Sequence, residues 1–218
     1  MVIKTHYTTA STGARIPIEI TVKRTTQEVA LNHMTAKDRA ERNSWCTKGK
    51  KACAKYGERP CCPPKTKMFN EMKPHKYMYL IQVKILLEDY YTVYPNVRAS
   101  GSWQYFGMDG THKMTRNVSN KIVRAISEVG KDIPFRVGGC LGCQFLKTGK
   151  CNYYMPPLES TGINVVKLAK TVFNTDIVWR VPKESMPYMI AVGAIYTDRE
   201  NIPQSKFKGV IKDVCNNN

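Results

Sequence analysis

Strong binding of soft metals needs thiolates, and this sequence supplies cysteines in two groups. The first lies in WCTKGKKACAKYGERPCCPP, Trp45–Pro64, and comprises Cys46, Cys53, Cys61 and Cys62, with Pro63 and Pro64 stiffening its end. The second lies in GGCLGCQFLKTGKC and comprises Cys140, Cys143 and Cys151. Clustered thiols in polar loops rich in Gly, Pro and Lys make better ligands than core residues. Cys215, beside the tail Asn216–Asn218, is the weakest candidate.

Disulfides are the competing use of the 8 cysteines. The opening MVIKTHYTTASTGAR has no apolar leader core, and no run approaches the roughly eighteen apolar residues of a membrane span. These features lead to the expectation of a cytoplasmic, reducing setting in which thiols bind metal. Zinc knuckles usually join two close cysteine pairs, yet only Cys140 and Cys143 have the two-residue spacing. Iron–sulfur clusters accept ligands scattered over longer loops, and a proline follows Cys62 as in ferredoxin-type runs. An iron–sulfur cluster is therefore the expected cofactor, with zinc as the alternative.

The formal charge is +17 over 218 residues, which favours polyanions and, less strongly, an anionic membrane surface. Between Thr47 and Lys76, Lys48, Lys50, Lys51, Lys55, Arg59, Lys65, Lys67, Lys73 and Lys76 face only Glu58 and Glu71. This basic loop suits weak nucleic-acid binding. The same cations also lower thiolate pKa values and offset cluster charge, or simply face solvent. Each bound cysteinate removes one positive charge from the formal sum.

Several elements must position these loops. Ile16, Ile18, Ile20 and Val22 alternate through Arg15–Lys23, as in a half-buried strand. The spacing predicts a helix over Thr26–Arg42, with His33 on its apolar face, and a short helix over Met68–Lys73. Tyr77–Leu87 reads as a strand. Tyr90–Thr115, with three glycines and Pro95, reads as loops or short strands, where Trp103, Tyr105 and Phe106 either pack or stack on bases. Thr115–Val129 is the best helical pattern, with Gly130 as its cap. Pro134–Val137 is a short strand leading into Gly138 and Gly139, which allow a tight turn before Cys140. Thr161–Phe173 reads as a helix capped by Ser160 or Thr161, and Tyr188–Tyr196 as a central strand. The class is α/β or α+β, a mixed sheet with flanking helices and cysteine-rich metal-binding loops. The organisation is an N-terminal strand and helix extension over 1–45, a cysteine-rich domain over 46–198, and a polar basic tail over 199–218. The stretches before Ile16 and after Asp198 are expected to be the most flexible.

The order Cys46…Cys53-Ala-Lys-Tyr56-Gly57…Cys62-Pro63-Pro64, then Gly139-Cys140-Leu-Gly-Cys143…Cys151, then Pro157-Leu158-Glu159-Ser160-Thr161-Gly162-Ile163-Asn164-Val165 resembles a cysteine-rich family of uncharacterised, predicted metal-binding proteins. The resemblance covers roughly Cys46 to Tyr196. It implies a metal-binding, iron–sulfur type of protein and no known reaction. The ligands it implies are Cys46, Cys53, Cys62, Cys140, Cys143 and Cys151, with Cys61 as an extra candidate beside Cys62. Leu146 stands where the family often has a further cysteine.

Two functions follow. One is a redox or cluster-dependent accessory protein working with a protein redox partner. The other is a basic nucleic-acid-binding or structural protein whose loops are stapled by zinc. No nucleotide-binding glycine loop, deaminase signature or nucleophile elbow is present, and no catalytic acid–base pair can be named, so whether the chain is an enzyme stays open.

Overall fold

The computed structural model describes residues 1–35, 37, 56–96, 103–138, 154–177 and 186–216, without the side chains of 103–109. Five strands form one sheet: β1 (Val2–Thr8), β2 (Arg15–Thr26), β3 (Tyr77–Leu86), β4 (Ile133–Phe135) and β5 (Tyr188–Thr197). Their spatial order is β1-β2-β3-β5-β4 and every pairing is antiparallel, so the fold is α+β. Among the described residues the helices are α1 (Gln27–Leu31), α2 (Leu87–Val93), α3 (Trp103–Ile126), α4 (Val165–Phe173) and α5 (Gln204–Asn216).

Alternation along the strands separates two apolar layers. Ile16, Ile18, Ile20 and Val22 of β2 join Tyr79, Ile81, Val83 and Ile85 of β3 on one face, under Val118, Ile122 and Ile126 of α3 and Phe207, Ile211 and Cys215 of α5. The opposite face presents Met78, Leu80, Val192, Ala194 and Tyr196 to Phe69, Leu158, Ile163 and Leu168. With both faces covered, β3 is nearly all apolar. Burying each large aliphatic side chain here contributes about 1.5–3 kcal/mol before entropy is counted. Gly193 sets how closely α3 lies on β5, since a side-chain carbon there would come within 2.7 Å of Ser119 Oγ and 2.9 Å of Val123 Cγ2.

Four expectations need correction. The segment read as loops and short strands over Tyr90–Thr115 holds most of α2 and the first half of α3. Glycine costs a helix about 1 kcal/mol, but Gly110 leaves room for the hydroxyl of Tyr90, and that packing outweighs propensity. The polar tail is helix α5, whose polar residues are its solvent side and whose Phe207, Ile211 and Cys215 are buried. The stretch before Ile16, expected to be flexible, contains β1, paired with β2 from Val2↔Thr21 to Thr8↔Arg15. Helix α4 starts at Val165, not Thr161, because Gly162 takes φ +91° and ends a short 3-10 turn over Glu159–Thr161; Asn164 is the cap, accepting from Lys167 N at 3.1 Å.

Smaller boundaries also move. The helix beginning near Thr26 ends as α1, Gln27–Leu31, with Asn32 as its cap; Asn32 and His33 form a turn, so His33 does not lie on a helix face, and residues 36 and 38–42 of the expected helix lie outside the described residues. Met68–Lys73 holds a 3-10 turn at Phe69–Glu71. Gly130 is left-handed, φ +77°, but it serves the turn after α3 and is not its cap.

Candidate metal centre

Both cysteine groups fall in insertions of the sheet. The first insertion leaves β2 at Thr26 and returns at Tyr77, which are cross-strand partners. The second leaves β4 after Phe135, which pairs with Ala194, three residues from the Thr197 that lies opposite Tyr77. At about 3.3 Å per residue, the second insertion therefore starts roughly 10 Å from the sheet end at which the first starts.

The returning end of the first insertion is fixed by Asp198. Its carboxylate meets His75 Nδ1 at 3.0 Å and accepts from Lys76 N at 3.0 Å. The His75 hydrogen bond, more than any other cause, holds the Asp198 carboxyl below its usual value. His75 also packs edge-on to Tyr196, ring centres 4.8 Å apart.

The second insertion closes at its neck. Arg136 bridges Pro157, with Arg136 N donating to Pro156 O at 3.2 Å, so the chain that leaves toward Cys140 comes back beside its point of departure. Asn120 of α3 grips the outgoing chain at Val137, accepting from its N at 2.7 Å and donating to its O at 3.3 Å. Gly138 follows with φ +71°, the left-handed region that glycine tolerates best.

The two insertions touch. Asn164 N donates to His33 O at 2.9 Å, and Gly162 is covered by the methyl ends of Met34 and Met68. They also line one cavity of about 920 Å³. Pro60, Lys65, Lys67, Met72 and Lys73 come from the first insertion and Tyr154 and Met155 from the second. Glu128 and Asp132, also on its wall, are engaged by Arg199, which meets Glu128 at 2.9 Å, ion-pairs with Asp132 and donates to Ile126 O at 3.2 Å at the end of α3.

Of the candidate ligands, Cys61 and Cys62 lie among the described residues; Cys46, Cys53, Cys140, Cys143 and Cys151 lie outside them. Cys61 is 1% exposed and Cys62 9%. Their loop is held by Cys62 N donating to Arg59 O at 3.0 Å, Thr66 N to Cys62 O at 3.0 Å and Gly57 N to Pro63 O at 2.8 Å. Both thiols are buried, yet neither joins either apolar cluster. Cys215 does join one, and burial raises its pKa to about 11. A buried thiol outside the apolar core fits a soft metal; a protonated thiol inside it does not. Among the described residues no three His, Cys, Asp or Glu side chains come together as a metal site.

Sequence reasoning missed Asn120 and Asp198, because a clamp on backbone groups leaves no spacing signature. Trp103, Tyr105 and Phe106, expected either to pack or to stack on bases, are helical, and their side chains lie outside the described residues. No helix among the described residues is long and apolar enough to cross a membrane.

A family model described as "Predicted metal-binding protein (DUF2284)" matches residues 33–193, a span that takes in both cysteine groups. No curated protein and no solved structure matches the chain.

Proposed function

The chain belongs to the predicted metal-binding protein family DUF2284, and we propose that its metal is an iron–sulfur cluster carried on the two cysteine groups, in a redox or cluster-dependent accessory role. The observation that carries this reading is the burial of Cys61 and Cys62 outside both apolar clusters, in a loop that shares a cavity wall with the flank of the second group. Cys46, Cys53 and Cys62 would hold the group from one side and Cys140, Cys143 and Cys151 from the other, with Cys61 next to them. Bound there, such a cluster supplies one-electron transfer or, at an iron left open, Lewis acidity.

The chain's own residues do the positioning. Asp198 holds the first insertion at the sheet end, and Asn120 with the Arg136–Pro157 bridge holds the neck of the second. Loose spacing within the first group favours iron–sulfur over a tetrahedral zinc knuckle. The test is the visible absorption spectrum with iron, sulfide and zinc content of protein purified without oxygen. Iron and sulfide in equal amounts are expected. Stoichiometric zinc with no visible absorption would replace this reading by a zinc-stapled basic protein.

A further inference from the structure

Two arginines lie where the chain enters and leaves the second insertion. Arg116 lies one helical turn before Asn120 on α3, and Arg136 is the residue bridged to Pro157. Asn120 therefore fixes the backbone that Arg116 lies against. A side-chain carbon on Gly138 would come within 3.1 Å of Arg116 Cδ and 3.6 Å of its Nη1, so Gly138 makes room for the arginine as well as turning the chain.

Neither arginine has an acidic partner among the described residues. The Nε of each is buried and makes no hydrogen bond. Burial, and then the charge of Arg136, depress the pKa of Arg116. The nearest acid along the returning chain, Glu159, makes no ion pair with either among the described residues. Two like charges with idle donors are costly to hold in a partly buried place unless an anion joins them. Here they are held by a helix, a bridge and a side-chain clamp, none of which relieves the charge.

We propose that Arg116 and Arg136 form an anion-binding site beside the Arg136–Pro157 bridge, taking a phosphate or carboxylate group of a small molecule. The guanidinium fork matches both oxyanions, with paired N–H donors that a carboxylate or phosphate can accept from side by side. A nucleic-acid backbone is the poorer fit, since it is held by exposed cations spread along a surface and not by two partly buried arginines. The site goes beyond the metal reading and does not depend on which metal is bound.

The experiment titrates the protein as purified with inorganic phosphate, with succinate and with a single-stranded oligonucleotide, following binding heat and melting temperature, with metal content measured on the same samples. Saturable binding of phosphate or succinate is expected, and whichever binds identifies the oxyanion. R116Q and R136Q should each weaken it at least about tenfold, the scale of one lost charge-assisted contact, with metal content unchanged. R116K and R136K, which keep the charge and lose the fork, should bind more weakly than the parent and remain folded. The proposal is overturned if neither small anion binds, if all variants bind as the parent does, if only the oligonucleotide binds, or if the variants lose metal while keeping anion affinity. A metal-free protein that still binds phosphate through both arginines would sink the cluster reading and leave this one standing.

Discussion

What surrounds a sulfur decides what it can do. Cys215 sits among Tyr7, Phe207 and Ile211, where burial lifts its pKa to about 11, so near neutral pH it is a protonated core group. Cys62 is buried next to polar backbone and prolines instead. Replacing Cys62 with serine should therefore strip metal, whereas Cys215→Ser should keep metal and lower stability by about 1–3 kcal/mol, because a hydroxyl enters an apolar site. Metal analysis and chemical denaturation of both variants check this, and equal metal loss would contradict it. The core role of Cys215 was not legible in the sequence, since helical burial of a thiol looks polar when flanked by asparagines. Glu159 adds a second test. Its raised pKa means the folded chain holds a proton that the unfolded chain has released above the ordinary 4.5. The protonated form's stability is thus fully present below 4.5 and is lost as pH rises through the higher folded value. Glu159→Gln should raise the melting temperature at pH 7 by about 2–4 °C, the effect of ~1 kcal/mol at this size, and change little at pH 4. A gain of the same size at both pH values would show that ionisation is not the cause.

At the scale of elements, periodicity located what packing alone determines and missed what close approach determines. The alternation of β2, the apolar run of β5 and the stripe of Val118, Ile122 and Ile126 were readable because each repeats at its own period. The early half of α3 was not, because its glycines signal a turn unless one knows that Tyr90 occupies the space beside Gly110. The neck of the second insertion follows the same logic. A tight turn before Cys140 was expected from Gly138 and Gly139; Gly138 is the described residue with positive φ, and Gly139 lies outside the description. Gly138→Val should cost about 1–2 kcal/mol for the left-handed backbone alone, and more for displacing Arg116. Asn120→Ala should cost about 1–3 kcal/mol by leaving Val137 N–H and C=O without their partner. In both variants metal should be lost at lower denaturant than global unfolding. Coincident transitions would mean that the neck is part of the cooperative core and not a local brace.

Across the whole molecule the charge of +17 is the property most easily read and most easily misread. Counting residues cannot say where cations are paired, and the fold shows that many are occupied: Arg199 with Glu128 and Asp132, Lys170 with Asp176, Arg24 with Glu200. The cavity between the insertions keeps a basic wall in Lys65, Lys67 and Lys73, while both acids named on its wall are bound to Arg199. A polyanion would be drawn to that wall, and long-range attraction needs no shape match. Weak, sequence-independent nucleic-acid binding is therefore expected, with a log–log salt slope of about −0.7 to −0.9 per phosphate contact. Changing Lys65, Lys67 and Lys73 together to glutamine should reduce that slope by about two to three units and leave metal content intact, since lysine is not a ligand. Filter binding of a random-sequence oligonucleotide over a range of salt concentrations measures the slope. Binding that selects a sequence and survives high salt would reverse the order of the two functions, because counterion release alone gives neither property.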